Sequence, residues 1–332
     1  MDSVVFRASH TPAELYAFVD LEMAIWGLAA RDAVPASLLH ALAQNGGVLV
    51  GAYAGPLPVG MALGFPAHRS RRWLLWSYIS GVHPDYQRQG IGLALKEHQR
   101  AWALANGFTE MRWTFDPLQA GNAHFNLSLL GVCADTYHIN YYGELDDAIN
   151  AGLPSDRVEA VWDLRRPAPG AALADAAVSA APAPQQVEIP ARLDTLSPTA
   201  VLDWRLALRA ALQPALARGS RLVAFQRDGS RCWYTLAAPA PWFLYVLECA
   251  DGSLYTGVTT DLERRLTQHN AGRGAAYTST RRPVRRLGSW RFDNRSAALR
   301  AEAAFKQQPR AAKLKRLAQQ APFQDGVFTD DR

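Results

Sequence analysis

Cysteine is scarce in this chain of 332 residues, which contains only Cys133, Cys232 and Cys249. None of the three stands in a CxxC pair, so the sequence favours neither a structural zinc site nor a framework of disulfides. Long apolar runs are also missing, because no segment approaches ~18 uninterrupted apolar residues. The first residues lack the basic start and apolar run of a secretory signal. We therefore expect a protein of a reducing, cytoplasmic setting that has no membrane partner.

Positive charge is unevenly distributed along the chain. Residues 240–332 contain 16 Lys and Arg against 9 Asp and Glu, whereas the residues before them contain 19 against 21. The net charge of +5 therefore arises entirely from the last part of the chain. A basic surface attracts nucleic acid, because binding releases the counterions that surround its phosphates. We expect this part to have a phosphate-bearing partner.

The stretch from Phe243 to Leu266 is the most informative part of the sequence. Two short runs of strand-forming residues, Phe243–Leu247 and Leu254–Val258, are joined by a turn that contains Asp-Gly. This pattern predicts a β-hairpin. Asp261 follows as an N-cap, and the leucines after it begin the apolar stripe of a helix.

Two phenols and a guanidinium would converge in this arrangement, because Tyr245 and Tyr255 lie on the paired strands and Arg265 on the helix. The set resembles the core of the GIY-YIG nuclease family. The segment around Tyr245 stands where that family has GIY, and Tyr255-Thr256-Gly257 stands where it has YIG. The glycine and isoleucine of GIY are absent from this chain.

This resemblance covers roughly Trp242 to Leu317, is closest to the small, UvrC-like members, and implies a metal-dependent endonuclease that acts on DNA. The catalytic residues that it implies are Tyr245, Tyr255, Arg265, His269 and Glu302. Glu302 would hold Mg²⁺ or another divalent cation, because Mg²⁺ prefers oxygen ligands.

The chemistry of phosphodiester hydrolysis explains why these residue types are needed together. Arg265 can bind the phosphate oxygens as a fork. A tyrosine beside a metal and an arginine would lose its proton below the ordinary pKa of about 10 and could then serve as the base. The sequence leaves open whether Tyr245 or Tyr255 is that base.

A second informative stretch lies between Trp73 and Leu104. Trp73–Val82 predicts a buried strand, Pro84 breaks it, and Gln87–Gly92 leads into a helix. A strand, a glycine loop and a helix N-terminus form a ready site for an anion, because free amides and the helix dipole point at the ligand.

This stretch resembles the GNAT superfamily of acyl-CoA acyltransferases, whose signature is Gln or Arg, two residues, Gly, one residue, and Gly or Ala. The resemblance implies that the loop cradles the pyrophosphate of acetyl-CoA or another acyl-CoA. The residues implied in binding are Val82, Gln87, Arg88, Gln89, Gly90, Ile91, Gly92 and Asn122.

The chain departs from the GNAT pattern at the general acid. Many GNAT enzymes place a tyrosine on the helix after Asn122 to protonate the leaving thiolate, but Leu127 or Leu129 stands there, depending on the alignment. Neither leucine can donate a proton. Tyr137, Tyr141 and Tyr142 are nearby candidates to take that place, so acyl transfer stays open beside a domain that only binds acyl-CoA.

We therefore predict an α/β (α+β) protein with a GNAT-like mixed sheet and flanking helices, and a small GIY-YIG domain of three antiparallel strands with helices. The expected divisions are a GNAT-like domain at 1–236 with an Ala/Pro-rich insert at 167–186, a hinge at 237–241, a nuclease-like domain at 242–320 and a tail at 321–332. Within the last domain, a strand at Leu287–Phe292 should precede a helix that Ser296 opens and that carries Glu302.

The function that this organisation favours is an endonuclease joined to an acyl-CoA-dependent acyltransferase-like module. One alternative is an acyltransferase that a basic, non-cleaving domain docks on nucleic acid. Another is a regulatory binding protein without catalysis. The sequence leaves open the acyl acceptor and the DNA that is cut.

Overall fold

A computed structural model describes residues 4–8, 11–69, 71–143, 152–166, 185–239 and 241–319. Contacts divide the chain into two compact units, Met1–Ala238 and Pro239–Arg332, each with its own sheet and apolar core. In the part of the chain described, no helix combines the length and the apolar character needed to cross a membrane. Residues 167–184 of the Ala/Pro-rich insert, Ala240 of the hinge and the tail at 321–332 lie outside the described residues.

The first unit is built on a mixed sheet with helices on its faces, which confirms the predicted fold class. Its described strands are β1 (Val5–Arg7), β2 (Val48–Ala54), β3 (Leu57–Arg69), β4 (Arg72–Val82), β5 (Glu110–Phe115), β6 (Cys133–His138), β7 (Arg157–Asp163), β8 (Gln185–Pro190), β9 (Arg221–Asp228) and β10 (Arg231–Ala237). Its described helices are α1 (Pro12–Trp26), α2 (Ala36–Gln44), α3 (Ile91–Ala105), α4 (Ala120–Ala123) and α5 (Pro198–Ala217), with a 3₁₀ turn at Pro84–Tyr86 and a π-helical segment at His124–Leu129.

Strand order in this sheet is β1-β2-β3-β4-β5-β7-β6-β9-β10-β8. Neighbouring strands are antiparallel except β4 and β5, which run parallel. The one parallel pair requires a crossover, and α3 supplies it by packing Ile91 and Leu95 into the core beside the sheet. The same helix buries Lys96, whose Nζ donates to Ser77 Oγ at 2.7 Å.

Local sequence signals explain where the helices begin. Thr11 caps α1 and forms a capping box with Glu14, and Pro12 occupies the first helical position. Ser197 caps α5 in the same way, accepting the Ala200 N–H at 3.2 Å. Both helices therefore begin at a capping side chain that is followed by proline.

Strands β8, β9 and β10 with α5 extend the sheet of the first unit beyond β6. Two bidentate pairs fasten α5: Arg205 to Asp116 at 2.9 Å for both contacts, and Arg209 to Asp156 at 2.8 Å for both. The end that we predicted for the Ala/Pro-rich insert is wrong, because β8 already begins at Gln185. Pairing with β10 along its whole length explains this earlier start.

The second unit contains strands β11 (Trp242–Glu248), β12 (Leu254–Thr259) and β13 (Arg285–Phe292), and helices α6 (Leu262–Asn270), α7 (Ala276–Ser279), α8 (Arg295–Gln307) and α9 (Arg310–Ala318). The strands form an antiparallel sheet in the order β12-β11-β13, which confirms the predicted hairpin and third strand. Asp261 caps α6 by accepting the Arg264 N–H at 3.0 Å. The predicted start of α8 at Ser296 is wrong, because Asn294 is the cap and accepts the Ala297 N–H at 2.9 Å.

Alternation along β11 divides the second unit into two small cores. Leu244 and Val246 face α8, where they pack with Ala301 and Phe305. Side chains of the opposite face, including Tyr245, pack with α6. This division decides which predicted site residues can meet, because successive residues of a strand point to opposite faces of the sheet.

Candidate functional site

Tyr245 lies at the centre of the face of the sheet that α6 covers, and it is 2% exposed. It is the cross-strand partner of Gly257, and Tyr255 is the partner of Leu247. A Cβ on Gly257 would lie 2.6 Å from the Tyr245 hydroxyl oxygen. Only glycine at this position allows the Tyr245 ring to lie across β12.

A chain of hydrogen bonds runs from the Arg265 guanidinium into the interior of the unit. Arg265 Nε donates to Tyr245 Oη at 3.1 Å, and Tyr245 Oη lies 2.9 Å from His269 Nε2. His269 Nδ1 lies 2.7 Å from Thr278 Oγ1, whose hydroxyl donates to the Ala275 carbonyl at 3.1 Å. Residues of β11, α6 and α7 are therefore joined by one continuous set of polar contacts.

Burial decides the charge of the two central groups in this chain of hydrogen bonds, His269 and Tyr245. Burial, and secondarily the Arg265 charge, lowers the pKa of His269 to about 4. Burial raises the pKa of Tyr245 to about 12, although the Arg265 guanidinium opposes the shift. In the protein alone, Tyr245 therefore ionises less readily than a free tyrosine, because desolvation outweighs the neighbouring cation. The lower pKa expected of a tyrosine beside a bound metal ion stays a prediction.

The tautomer of His269 follows from its neutral charge, since one ring nitrogen then donates and the other accepts. The Thr278 hydroxyl gives its proton to the Ala275 carbonyl, so we assign Nδ1 as the donor to Thr278. Nε2 then accepts the Tyr245 hydroxyl. Gly274 gives the imidazole its space, because a Cβ there would overlap the His269 ring.

Tyr255 lies in the same aromatic cluster, with its ring centre 5.0 Å from that of His269 and 6.3 Å from that of Tyr245. Beside this cluster, a surface cleft of about 590 Å³ is lined by Arg264, Arg265, Thr267, Gln268 and Arg273. Three guanidinium groups therefore border the point at which the hydrogen-bonded chain reaches the surface.

Glu302 lies apart from the hydrogen-bonded chain that contains Tyr245. Its helix, α8, packs Ala301 and Phe305 against the face of the sheet opposite to Tyr245. The Glu302 carboxylate is 16% exposed and accepts a hydrogen bond from Lys306 Nζ at 2.7 Å. In the described part of the chain, no group of three or more His, Cys, Asp and Glu side chains is arranged to hold a metal ion.

In the first unit, the predicted loop connects β4 to α3 through a 3₁₀ turn. Gly90 is the N-cap of α3 and has a φ of +81°, and no side chain caps this helix. Arg88 also has a positive φ, +61°. Two left-handed residues turn the backbone sharply before the helix, and the first amides of α3 are left without intrahelical partners.

The other predicted residues of this loop contact its ends or begin the helix. Gln87 Nε2 donates to the Val82 carbonyl at 3.1 Å and so ties the loop to the end of β4. Gln89 Nε2 donates to the Asp85 carbonyl at 3.3 Å, and Ile91 is buried as the first residue of α3.

Gly92, in the first turn of α3, lies near the neighbouring helical segment that contains Asn122. A Cβ on Gly92 would lie 3.6 Å from the Phe125 ring. The structure leaves the Asn122 side chain exposed, and the Asn122 carbonyl accepts from Asn126 Nδ2 at 2.8 Å.

A gap opens beside the loop because β4 and β5 separate. Their pairing within the described residues is limited to Leu75 with Met111 and Trp76 with Arg112. Strand β4 continues to Val82 beyond that point.

Tyrosines lie at this gap, although Leu127 and Leu129 occupy the helix where the general acid was sought. Tyr142 Oη lies 3.1 Å from Thr114 Oγ1 on β5, and its ring centre is 4.7 Å from that of Tyr141. Burial, together with the nearby Tyr142 hydroxyl, raises the pKa of Tyr78 on β4. In contrast, Tyr137 is directed inward and donates to Asp156 at 2.7 Å.

Two family models match separate parts of the chain. The GIY-YIG catalytic domain matches residues 241–315, and the acetyltransferase (GNAT) family matches residues 15–131. Together they confirm a GNAT-like part followed by a GIY-YIG-like part.

Curated relatives cover the C-terminal part. A UPF0213 protein of Streptococcus agalactiae is 58% identical over 74 residues, which are 22% of this chain and 84% of the relative. A UPF0213 protein of Cupriavidus pinatubonensis is 53% identical over 73 residues, 22% of this chain and 81% of the relative.

Solved structures resemble the N-terminal part at low identity. The ribosomal-protein-S18-alanine N-acetyltransferase of Escherichia coli is 18% identical, with a TM-score of 0.40, and the match covers 49% of this chain and 94% of that one. An acetyltransferase of the GNAT family from Streptococcus pneumoniae is 15% identical, with a TM-score of 0.40, and covers 48% of this chain and 99% of that one.

Gly257 offers a test of the packing that positions Tyr245. We expect Gly257→Ala to displace the Tyr245 ring and to lower the stability of the second unit by about 1–3 kcal/mol, because overpacking a buried site costs this much. Chemical unfolding of the full chain measures the effect. Gly121→Ala is the matched control, since a Cβ there meets nothing within 4 Å. Equal stability of the two variants would contradict the assigned packing.

Proposed function

Because the C-terminal part of the chain belongs to the UPF0213 proteins of the GIY-YIG family, we propose that this part hydrolyses phosphodiester bonds in DNA. A divalent metal ion would assist the reaction. The observation that carries the proposal is the hydrogen-bonded chain from Arg265 through Tyr245 to His269, which opens beside the arginine-lined cleft. A polar chain of this length in a small unit is costly to bury unless every member is satisfied.

The proposed reaction uses the charge states that burial sets. At neutral pH His269 is neutral and Tyr245 is protonated, since their pKa values are about 4 and about 12. As a water molecule attacks phosphorus, its proton passes to Tyr245 Oη while the Tyr245 hydroxyl proton passes to His269 Nε2. The new phosphorus–oxygen bond forms as the bond to the leaving oxygen breaks, and the leaving oxygen departs with the bonding electrons as an alkoxide that takes a proton from solvent water. Tyr245 serves as the base in this proposal, and Tyr255 lines the pocket.

Arg265 would bind the phosphate while it orients Tyr245. Its Nε donates to Tyr245 and its Nη1 donates to Gln268 Oε1 at 3.2 Å, which leaves further N–H groups for phosphate oxygens. Arg264 and Arg273 would hold neighbouring phosphates along the cleft. Arg264 and Arg273 would therefore position the DNA backbone, and Arg265 would stabilise the charge at the reacting phosphate.

A divalent metal ion would be held by few protein groups, because α8 carries the one predicted ligand over the face of the sheet opposite to Tyr245. The predicted ligand, Glu302, is a single carboxylate, so most of the coordination would come from water and phosphate oxygens. Mg²⁺ accepts such a shell, because it dehydrates reluctantly and often binds through one or two carboxylates. When bound, the ion would supply positive charge to the phosphate. Glu302 would have to exchange its contact with Lys306 for this role.

The first unit supports a second activity, the binding of an acyl-CoA and the transfer of its acyl group. The uncapped start of α3 after Gly90 offers amides to a pyrophosphate, and the gap between β4 and β5 offers room for the rest of the molecule. Tyr78, Tyr141 and Tyr142 would be the candidates to protonate a leaving thiolate. A high pKa keeps the Tyr78 hydroxyl protonated, as a general acid requires.

We predict that Glu302→Gln abolishes Mg²⁺-dependent DNA cleavage while the protein remains folded and binds DNA. The variant keeps the size of the side chain and removes the charge that would hold the ion. Glu263→Gln is the matched control, because Glu263 is an exposed carboxylate of α6 paired with Arg286. Cleavage and DNA affinity are measured on the same preparations with Mg²⁺ and with EDTA. Full cleavage by Glu302→Gln would rule out this ligand.

We expect Arg265→Ala to lower the cleavage rate by about 100-fold or more, which is typical for a group that stabilises charge in the transition state. DNA binding should fall much less, because Arg264 and Arg273 remain in the cleft. Single-turnover cleavage and titration of labelled DNA separate the two effects. Equal losses of binding and cleavage would assign Arg265 a docking role instead.

We predict that Gly90→Asp weakens the binding of acetyl-CoA much more than Gly90→Asn does. Both side chains are tolerated at a positive φ better than most, and they have nearly the same size. Only Asp adds negative charge beside the proposed pyrophosphate position. Isothermal titration of acetyl-CoA and CoA into both variants measures the difference. Equal affinities would show that the pyrophosphate does not lie at this loop.

A further inference from the structure

Tyr277 is the one aromatic side chain among the described residues 241–319 that is exposed, at 44% of its surface. It belongs to α7 and directly precedes Thr278, the residue that orients His269. Its ring stacks on that of Tyr255, with 6.2 Å between the ring centres and 27° between the planes. A row of rings therefore leads from buried Tyr245 through Tyr255 to exposed Tyr277.

The Arg281 guanidinium packs over the Tyr277 ring and presents a second flat surface beside it. The guanidinium carbon lies 4.3 Å from the ring centre. Arg281 is itself fixed, because its Nε donates to Asp251 Oδ2 and its Nη1 donates to the Tyr277 carbonyl, both at 2.9 Å. The exposed ring and the guanidinium are thus held in place before any ligand arrives, which lowers the entropy that binding must overcome.

We propose that Tyr277 and Arg281 bind a nucleobase of a nucleotide next to the phosphate held by Arg265. This inference rests on the proposed nuclease function and adds to it a second kind of contact with the substrate. Every nucleobase has a flat face that stacks on an aromatic ring or on a guanidinium plane. The ligand is therefore a base that is unstacked from its neighbours, read without regard to its identity.

Charge and position favour a base over the other groups that an exposed tyrosine contacts. The guanidinium groups of Arg264, Arg265 and Arg273 line the cleft and suit phosphates. Tyr277 instead offers a partly exposed aromatic ring. A nucleotide strand presents both kinds of group at a fixed spacing, charged backbone on one side and flat base on the other. The row of rings likewise places the aromatic surface of Tyr277 beside the hydrogen-bonded chain that begins at Arg265.

Binding to two single-stranded ligands of equal length and charge tests the proposal. One ligand is a short labelled oligothymidylate, and the other is the same backbone with abasic residues. The full chain is titrated in EDTA, so that cleavage does not interfere. We expect the wild type to prefer the oligothymidylate by about fivefold or more, the lower end of what stacking on one aromatic ring contributes. Tyr277→Ala should lose this preference and keep its affinity for the abasic strand.

Two further variants make the result specific. Tyr277→Trp should keep the preference, since its larger ring stacks at least as well. Tyr16→Ala is the control, because Tyr16 is an exposed tyrosine of the first unit, at 68% of its surface, and should change nothing. The proposal is overturned if Tyr277→Ala discriminates as well as the wild type, or if the wild type has no preference.

Cleavage in Mg²⁺, measured separately, distinguishes failure of this inference from failure of the nuclease function. A wild type that cleaves DNA but shows no preference for bases would reject the base site alone. A wild type that neither cleaves nor binds DNA would reject both.

Discussion

The hydrogen bond between Tyr245 and His269 is the contact on which the second unit depends. Both groups are buried, so each must find its partner inside the protein. The imidazole is satisfied by Tyr245 on one side and Thr278 on the other, and Arg265 completes the shell of the phenol. Loss of any one partner would leave a polar atom in a low-dielectric interior, so the chain is a structural constraint as well as a chemical device.

The hydrogen bond between Tyr245 and His269 explains why glycine occupies two neighbouring positions. Gly257 and Gly274 lie where a side chain would collide with Tyr245 and with His269, so the two glycines create the space that the polar chain fills. Alternation along β11 then directs Leu244 and Val246 to the opposite core against α8. The sheet therefore separates the face that holds the hydrogen-bonded chain from a more apolar face, and α8, which carries Glu302, covers the second of these.

Sequence reasoning predicted the parts of the fold that local signals encode. The Asp-Gly turn, the alternating strands and the cap at Asp261 are short-range features, and all are present. The sequence predicted Ser296 as the start of α8 where the structure has Asn294 as the cap, because both are good cap residues only two positions apart. Pairing of β8, β9 and β10 with the rest of the sheet is seen only in the folded protein, since pairing between distant strands has no local signature.

The candidate site was predicted as a set of residues but not as a network. Motif positions brought Tyr245, Arg265 and His269 together on one face. Thr278 was missed because its role depends on a tertiary contact with His269 and not on any pattern in the chain. The raised pKa of Tyr245 in the protein alone has a related cause: the sequence shows the nearby arginine, but the depth of burial that outweighs it exists only in the folded protein.

Nuclear magnetic resonance of the His269 imidazole tests the central claim most directly, with the His269→Gln variant used to assign its signals. The account predicts a neutral ring that carries its proton on Nδ1 and titrates with a pKa of about 4. Unfolded histidine titrates near pH 6.5. Because the folded pKa is the lower one, protonation favours the unfolded state, and stability should fall as the pH drops from 6.5 toward 4. A titration midpoint near 6.5, or a proton on Nε2 at neutral pH, would contradict the proposed transfer from Tyr245 to His269.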